Sequence, residues 1–405
     1  MHDRPRLLYL GLAFPPGVAG LFPELQPAGH LIETSMIQAV RPYLEVRSVG
    51  ISPVDVEKLR GRLDNSPGLP HCLNLLDRRP ELLHRFRSLR RLRQAYLDWQ
   101  KEGWQPDLVL VCNFTSPVYN AFVRWLKRTG QPPRRVLYLA DSPMLGLAVP
   151  RLRRLRYRFK PFGWLHDEVA PFYEACVAVS VSSKSYFRER RLPWLWQPSG
   201  CDPARARTSR RGHSDGPIAF GFFGGASEYT GLPQLLRVFT AQPRAATLHV
   251  CSFGKARFRL QKHYAGHPNM HFHTPRPPDA CVELARQWDV LVNPRPILPG
   301  NENNFPSKVF EYALSGRAIL STRLSGVEQV LGPDAYYFDE TTYDAALDQM
   351  LASLSQASRA ELNRRGAAVQ QHVLQGYSWS TQGQRLARFL CDLLGRPLPG
   401  LPGGA

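Results

Sequence analysis

Two side chains suited to binding a phosphorylated ligand lie three residues apart in the segment Phe305–Tyr312, which reads FPSKVFEY. Lys308 and Glu311 share one face of a predicted helix, because residues at this spacing are neighbours on a helix surface. A helix N-terminus favours an anion, and Lys308 adds a full positive charge there. Glu311 can accept two hydrogen bonds from a vicinal diol such as a ribose. The pair predicts a site for a diphosphate beside a ribose, with an ordinary surface ion pair as the alternative.

The residues around this pair predict a short helix over Ser307–Ser315, followed by a buried strand. Pro306 suits the start of a helix, where a missing N–H costs little. Gly316 is expected to end the helix, and Ala318–Ser321 to begin the strand. Apolar side chains recur at helical spacing at Val309, Phe310, Ala313 and Leu314.

Length and composition bound the class of protein. The chain has 405 residues, of which 43% are hydrophobic, and this suits two domains with separate cores. No apolar run is long enough to span a bilayer, and the N-terminus lacks the pattern of a signal peptide. The seven scattered cysteines have no CxxC spacing, which argues against a disulfide framework or a zinc site and for a reducing cytoplasm.

The formal net charge of +19 is the largest compositional deviation. Nucleic acid, an anionic membrane surface and a phosphate-bearing substrate are all partners that would suit such a charge. An arginine-rich composition without a function is a further explanation. Charge alone does not choose among these readings.

Alternating apolar runs and amphipathic stretches predict parallel sheets covered by helices in both halves of the chain. In the first half the expected strands are Leu7–Ala13, Tyr43–Val49, Asp107–Val111, Arg135–Ala140 and Ala175–Val181, with helices near 30–40, 80–100, 117–129 and 168–174. In the second half they are Ile218–Phe223, Thr247–Phe253, Met270–His273, Val290–Asn293, Ala318–Ser321 and Ala335–Phe338. The helices expected there are Thr230–Phe239, Pro278–Gln287, Ser307–Ser315, Thr342–Ser353, about 358–374 and 380–394.

The same pattern predicts how the chain divides. We expect a first Rossmann-like domain over 1–197, a polar linker over 198–216 and a second Rossmann-like domain over 217–380. A disordered tail is expected over 396–405. Ligands of open parallel sheets bind beyond the carboxyl ends of the strands, so both domains are expected to offer loops to one cleft.

The string from Phe305 to Thr322, preceded by Val292–Pro296, resembles retaining GT-B glycosyltransferases. It is similar to the large bacterial family marked by Glu-x7-Glu (glycosyltransferase family 4-like, group 1), in the branch that builds polysaccharides and glycoconjugates. The resemblance is specific over about 217–331 and extends to Tyr377–Ser380. It implies two Rossmann-like domains facing a central cleft, and a last helix over 381–395 that returns to the first domain.

Carried over by position, the resemblance makes Glu311 the residue that binds the ribose and Lys308 one that contacts the donor phosphates. Asn303, eight residues before Glu311, takes the place of the first glutamate of the family and is a catalytic candidate. The residues between them that are expected to bind the donor are Asn304, Phe305, Pro306 and Ser307.

A glycine pair after the first strand of the second domain, Gly224 and Gly225, is also expected to approach the donor. Many members of the family carry a basic pair in this loop, whereas this chain has Gly225 and Thr230 at those places. Neutralisation of the diphosphate is therefore expected from Lys308, with Lys255 or Arg295 assisting.

In the first domain the loop after the first strand contains Gly17 and Gly20, where a backbone N–H can approach phosphate or acceptor. The alternative is a plain strand-to-helix turn. Asp141 ends a strand, and many relatives have His-Asp here, but Ala140 takes the histidine place. Asp141 is a candidate for orienting the acceptor hydroxyl or acting as a base, or it caps a turn.

Cations mixed with aromatic residues suit an anionic bilayer surface. Such a stretch in the first domain contains Arg151, Arg153, Arg154, Arg156, Arg158, Lys160 and Trp164. A nucleic-acid backbone and a solvated arginine-rich face are the alternatives. No nucleic-acid module accompanies the charge, so we expect no nucleic-acid partner.

These observations predict a metal-independent glycosyltransferase with no cofactor beyond its nucleotide-sugar co-substrate. The resemblance implies transfer with retention, from a nucleotide-diphosphate sugar to a lipid-linked, polysaccharide or related glycoconjugate acceptor. We expect a cytoplasmic protein, peripheral at the inner face of the membrane. The alternatives are an inactive GT-B scaffold, a basic nucleic-acid-binding protein, and a nucleotide-sugar epimerase on the same fold.

Overall fold

The chain folds into two units, Met1–Gln197 with Trp379–Ala405 and Pro198–Ser378. The computed structural model describes residues 4–11, 27–50, 72–74, 81–113, 116–130, 132–140, 170–181, 191–207, 216–298, 305–324, 326–339 and 341–400.

Within those residues, the first unit is built on a parallel sheet of seven strands. They are β1 Arg6–Gly11, β2 Glu45–Gly50, β3 Cys72–Asn74, β4 Leu108–Cys112, β5 Arg134–Leu139, β6 Ala175–Ala178 and β7 Trp194–Trp196. Their order is β3-β2-β1-β4-β5-β6-β7. All five residues of β4 are buried, as expected for a central strand covered on both faces.

In the described residues before Pro198, the first unit has three α-helices: α1 Pro27–Val40, α2 Glu81–Lys101 and α3 Pro117–Leu126. The start of α3 follows from its sequence, because the Ser116 hydroxyl accepts a hydrogen bond from the Tyr119 N–H at 3.4 Å. Pro117 fills the first helical position. The helix expected near 168–174 is, in its described part, a single 3₁₀ turn over Ala170–Phe172.

The second unit is built on a parallel sheet of six strands in its described part. They are β8 Ile218–Gly225, β9 Ala246–Phe253, β10 Met270–His273, β11 Val290–Asn293, β12 Ala318–Thr322 and β13 Tyr336–Phe338, in the order β10-β9-β8-β11-β12-β13. The helices are α4 Leu232–Ala241, α5 Ala256–Tyr264, α6 Pro278–Ala285, α7 Lys308–Leu314, α8 Val327–Leu331, α9 Tyr343–Ser355 and α10 Arg359–Tyr377.

The last helix, α11 Trp379–Leu393, belongs to the first unit and packs on α1. The two helices are close at Gly383, where an added Cβ atom would lie 2.3 Å from the Ala39 carbonyl oxygen. Only glycine allows the two helices to meet at this distance. The polar side chain of Gln197, at the end of the unit's first segment, donates to the Gln382 carbonyl oxygen at 3.2 Å.

Substituting Gly383→Ala should therefore lower the free energy of unfolding by about 1–3 kcal/mol, since overpacking a tight contact costs about this much. Chemical denaturation of the purified variant measures the change. Gly376→Ala is the matched control, because a Cβ atom at Gly376 would meet nothing within 4 Å. Equal stability of the Gly383 variant and the control would contradict the packing of α11 on α1.

Both strand orders are those of doubly wound sheets, and the α/β fold class predicted from the sequence is confirmed. The predicted strands of the second unit agree with the observed ones to within two residues at each end. None of the helices described is long and apolar enough to cross a membrane.

Candidate functional site

The switch point of the second sheet lies between its two central strands, β8 and β11, which pair in parallel. From β8 the sheet continues to β9 on one side and to β11 on the other. Ligands of doubly wound sheets bind at such a point, beyond the carboxyl ends of the strands. Here β8 ends in Gly224-Gly225 and β11 in Asn293, which Pro294 and Arg295 follow.

Helix α7 delivers Lys308 and Glu311 to this edge of the sheet. Its apolar side is buried, as the spacing predicted. Gly316 adopts a φ of 67° and donates its N–H to the Ala313 carbonyl at 3.0 Å, so the helix ends where expected. The helix begins at Lys308, one residue later than predicted, and the Pro306 carbonyl accepts from the Val309 N–H at 3.0 Å.

Tyr312 ties α7 to the ends of the two central strands. Its hydroxyl lies 3.1 Å from the Phe223 carbonyl oxygen and 3.2 Å from that of Val292, and it accepts from the Phe223 N–H at 3.3 Å. Its ring packs edge-on against Phe223, with 4.5 Å between the ring centroids. This buried contact fixes α7 relative to the glycine pair.

The Lys308 side chain lies against the glycine pair with its charge buried. A Cβ atom at Gly224 would stand 3.8 Å from Lys308 Nζ, in ordinary contact. The Nζ atom lies 4.3 Å from the centroid of the Phe222 ring. Although the residue as a whole is half-buried, its Nζ atom is buried and has no hydrogen-bond partner among the described residues.

Burying an ammonium group without a hydrogen-bond partner costs free energy, and this cost favours the neutral amine. Burial, and secondly the positive charge of Arg295, lowers the pKa of Lys308 to about 7. A diphosphate at the glycine pair would supply the missing hydrogen-bond acceptors and favour the protonated form.

Affinity for an intact nucleotide sugar should therefore be constant below about pH 7 and fall by up to about tenfold per pH unit above it. The reason is that only the protonated lysine binds the diphosphate well. Calorimetric titration between pH 6 and 8.5 measures the profile. In Lys308→Arg the charge persists throughout this range. A profile unchanged by that substitution would assign the titration to another group.

Glu311 occupies a separate environment on the same helix. Burial raises the pKa of Glu311, while Arg205 lowers it and Asp279 raises it. Arg205 ends a 3₁₀ turn, Pro203–Arg205, and its Nε atom donates to Asp279 Oδ1 at 2.5 Å. Glu311 makes no ion pair of its own with the described residues, so its carboxylate is left to accept hydrogen bonds from a ligand.

The turn after the glycine pair is closed by Thr230, which stands at one of the two places where the resemblance led us to look for a basic residue. The Thr230 hydroxyl lies 2.7 Å from the Gly225 carbonyl oxygen and 2.8 Å from that of Ser227. Gly231 has a φ of 76°, and a Cβ atom there would lie 1.6 Å from the Pro294 carbonyl oxygen. This turn therefore packs directly on the residues that follow β11.

Arg295 is buried beside Lys308 and is held by Tyr229. One Arg295 nitrogen, Nη2, donates to the Tyr229 hydroxyl, and the guanidinium carbon lies 4.2 Å from the centroid of the Tyr229 ring. The structure thus brings Arg295, Lys308 and the glycine pair together. Arg295 contributes positive potential here even though its own hydrogen bonds are made within the protein.

The other described candidates differ in position. Lys255 is exposed in the turn between β9 and α5, two residues after Phe253, which pairs with Gly225. Phe305 packs on Phe310 with 5.8 Å between their ring centroids. Pro306 is buried and Ser307 half-buried, both at the start of α7.

Several predicted site residues lie outside the described residues, and their roles stay predictions. They are Gly17, Gly20, Asp141, Asn303 and Asn304, together with the basic set Arg151, Arg153, Arg154, Arg156, Arg158, Lys160 and Trp164.

Sequence reasoning missed three residues that shape the site. Phe222 underlies the lysine, Tyr312 anchors α7, and Arg205 faces Glu311 from a segment that composition identifies only as linker. The apolar pattern could not separate Phe222 or Tyr312 from ordinary core residues. Among the described residues, no group of three or more His, Cys, Asp or Glu side chains is arranged to hold a metal ion.

The sequence of the second unit and the fold of the chain are similar to those of known proteins. Residues 235–388 match the family model described as glycosyl transferase-like. No curated protein sequence matches the chain closely enough to count as a relative.

Solved structures share the fold at low sequence identity. Sucrose-phosphate synthase from Thermosynechococcus elongatus superposes with a TM-score of 0.66 at 11% identity, over 96% of this chain and 99% of that one. The lipopolysaccharide outer core galactosyltransferase WaaB superposes with a TM-score of 0.65 at 11% identity, over 96% of this chain and 99% of that one. HepE from Anabaena, solved with UDP and glucose, superposes with a TM-score of 0.63 at 13% identity, over 96% of this chain and 100% of that one. The chain is therefore glycosyltransferase-like over residues 235–388 and has the GT-B fold.

Proposed function

We propose that this protein is a retaining glycosyltransferase. It moves a sugar from a nucleotide-diphosphate donor to a lipid-linked, polysaccharide or related glycoconjugate acceptor. The second unit binds the donor, and the first unit binds the acceptor near Gly17, Gly20 and Asp141.

The observation that carries the proposal is the buried, unpartnered Lys308 Nζ atom beside Gly224. Phosphate oxygens are the acceptors that such a group lacks. Gly224 and Gly225 leave room for the diphosphate next to the lysine, with Lys255 and Arg295 as further positive charge. Glu311 accepts hydrogen bonds from the ribose hydroxyls, and the segment Asn304–Ser307 completes the donor site.

The reaction breaks the bond between the sugar C1 atom and the phosphate oxygen, and the acceptor oxygen bonds to C1 on the same face. The proton of the acceptor hydroxyl passes to the departing diphosphate. Lys308 and Arg295 stabilise the charge that builds on that leaving group, so the protein supplies position and electrostatics. Asp141 orients the acceptor hydroxyl, and the Asn303 amide bonds a hydroxyl of the transferred sugar.

Two solved structures of the same fold support the substrate class. One structure of HepE, a protein 14% identical to this chain, was solved in complex with UDP-glucose. WaaB is named as a galactosyltransferase of the lipopolysaccharide outer core. By analogy, the donor for this chain carries a nucleoside diphosphate and the acceptor is a surface glycan.

We further propose that transfer needs no metal ion and no cofactor beyond the nucleotide sugar. Lys308 and Arg295 take the role that a divalent ion plays in other phosphate chemistry. Full activity in EDTA is the expected result, and loss of activity that magnesium or manganese restores would overturn this part.

The proposed location is the cytoplasmic face of the membrane, with peripheral attachment. The cation-rich segment with Arg151, Arg154, Arg158 and Trp164 supports it, since each cation near an anionic surface contributes about 1 kcal/mol. Flotation with vesicles that contain anionic lipid tests the attachment, and equal binding to neutral vesicles would contradict it.

A second candidate is a catalytically inactive scaffold on the GT-B fold, which transfers no sugar and is not stabilised by nucleotides. Asn303 in place of glutamate and Gly225 and Thr230 in place of a basic pair favour it. Thr230 closes the turn after the glycine pair through its hydroxyl, a role that needs no positive charge.

A thermal-shift panel of UDP, GDP, ADP, CMP and TDP sugars tests the proposal. A donor at 100 times its dissociation constant should stabilise the protein by about 2.7 kcal/mol. Stabilisation by one nucleotide with release of the free diphosphate in the presence of a glycan acceptor supports transfer. If no sugar nucleotide stabilises the protein, donor binding is refuted and the inactive scaffold is favoured. If one nucleotide stabilises it but no acceptor leads to release of the free diphosphate, the proposed transfer is contradicted.

A further inference from the structure

Two buried thiols meet near the Glu311 end of the donor site and have no part in the proposed reaction. Cys251 lies on β9 and Cys281 on α6, and their Sγ atoms are 3.9 Å apart. Among the six cysteines whose side chains the structure describes, they form the one contacting pair. The others, each buried apart from a second thiol, are Cys112, Cys176, Cys201 and Cys391.

Each thiol of the pair also faces a carbonyl of the segment between β10 and α6. Cys251 Sγ lies 3.3 Å from the Thr274 oxygen, and Cys281 Sγ lies 3.4 Å from the Arg276 oxygen. Thiols are weak donors, so giving up these bonds costs little. A disulfide has an S–S length of about 2.05 Å, so the two sulfur atoms need to approach by about 2 Å.

The two sulfur atoms differ in acidity. The hydrogen bond from Cys281 lowers the pKa of Cys251 against the effect of burial, and Arg276 and Arg257 act in the same direction. The same contact, with burial, raises the pKa of Cys281. The thiolate is the form that reacts with oxidants, and the positive charges of Arg276 and Arg257 favour that form at Cys251.

The isolated thiols differ from Cys251. Burial raises the pKa of Cys201 to about 12 and that of Cys391 to about 11. Burial also raises the pKa of Cys176. These groups remain protonated near neutral pH and have no neighbouring thiol in the described residues with which to form a bond.

The pair is connected to the proposed ribose site. Glu311 is among the groups that raise the pKa of Cys281. The first turn of α6 carries Asp279, whose partner Arg205 faces Glu311. A change in the position of α6 at Cys281 therefore reaches the surroundings of Glu311 in two ways, through the charge of Glu311 felt at Cys281 and through the ion pair of Asp279 with Arg205.

We propose that Cys251 and Cys281 are a modification site, which a hydroperoxide converts to a reversible disulfide that weakens nucleotide binding at Glu311. The second half of this statement rests on the proposed function. The pair acts as a redox-sensitive element of the kind found in reducing compartments, where disulfides are transient.

The chemistry balances with hydrogen peroxide as oxidant. The Cys251 thiolate attacks one peroxide oxygen, forming a sulfenic acid and hydroxide, which takes up a proton to become water. The Cys281 sulfur then attacks the sulfenic sulfur, its proton is lost, and a second water leaves. Two thiols are oxidised and one peroxide is reduced, and a small dithiol reverses the bond by exchange.

The test is disulfide mapping of the full chain. The protein is treated with a small excess of hydrogen peroxide, free thiols are alkylated in denaturant, and the peptides are identified by mass spectrometry. We expect one cross-linked peptide containing Cys251 and Cys281, with both thiols recovered after dithiothreitol. Cys391→Ser should leave the cross-link intact, whereas Cys281→Ser should stop at a Cys251 sulfenic acid that dimedone traps.

Mapping of the wild-type chain alone can refute the proposed modification site. It does so if Cys251 and Cys281 remain free after oxidation, or if cross-links are spread over other cysteines. Titration with UDP then compares the reduced and oxidised forms, with affinity expected to fall at least tenfold on oxidation. Unchanged affinity of a fully cross-linked sample would overturn the regulatory half. If UDP does not bind the reduced protein, the donor carries another base, and the titration is made with the nucleotide that the thermal-shift panel selects. The mapping decides the modification in either case.

Discussion

Replacing Lys308 with methionine should abolish binding of a nucleotide diphosphate while making the unliganded protein more stable. The Nζ atom is buried against Phe222 without a hydrogen-bond partner in the described residues, so its charge is a cost to the fold. Methionine keeps an unbranched chain of similar length and removes that charge. Affinity should fall by at least about 100-fold, since a charge-assisted contact to phosphate is lost.

The gain in stability should depend on pH in a defined direction. The pKa of Lys308 is lowered from 10.5 in the unfolded chain to about 7 in the folded one, so the unfolded state binds more protons between these values. The loss of stability that the buried Lys308 charge causes in the wild-type protein is fully present below about pH 7. It vanishes as the pH rises toward 10.5. Urea denaturation of both proteins at pH 6.5 and pH 9.5 measures the difference, expected to be on the order of 2 kcal/mol or more at the lower pH.

Lys262→Met is the matched control for this prediction. Lys262 is an exposed lysine of α5, and its replacement should change stability by less than about 0.5 kcal/mol and leave nucleotide affinity unchanged. A Lys308→Met protein that loses stability together with affinity would mean that the lysine supports the fold. A ligand-binding role requires the two quantities to move in opposite directions.

The sequence predicted the fold class because its buried strands are continuous apolar runs separated by helical patterns. It did not predict α5, since ARFRLQKHY contains a single buried apolar residue, Leu260. Without an apolar stripe the segment resembles a polar loop. Strand β7 was missed for a different reason, because Trp194–Trp196 is only three residues long and follows a proline.

The candidate site shows a similar division. Gly316 and the spacing of Lys308 and Glu311 were readable because each depends on local geometry along one helix. Arg205 was not, because it comes near Glu311 only when the chain over residues 203–207 packs on α7. The Arg207 N–H donates to the Leu314 carbonyl at 2.9 Å and fixes that packing. Contacts over more than a hundred residues of chain carry no periodic signal.

Substituting Glu311→Gln should reduce affinity for the nucleotide diphosphate by about 100-fold, since each hydrogen bond to a charged acceptor contributes about 1.5–3 kcal/mol. The amide retains the shape of the side chain and one acceptor oxygen. Because burial raises the pKa of Glu311, the neutral amide should not lower stability at neutral pH. Any stability advantage of the amide should disappear as the pH falls through the raised pKa toward 4.5.

If Glu311 binds the ribose, its replacement should also remove the preference for a ribonucleotide over a nucleotide that lacks the ribose hydroxyls. The wild-type protein should bind a ribonucleoside diphosphate at least about tenfold more tightly than its 2′,3′-dideoxy analogue, because the carboxylate then lacks both hydroxyl partners. In Glu311→Gln this preference should largely vanish. Glu361→Gln is the control, an exposed carboxylate paired with Arg364 on α10, and it should keep the full preference. A variant at Glu311 that weakens both nucleotides equally and keeps the preference would assign the ribose to another residue, because only the group that contacts the hydroxyls can sense their removal.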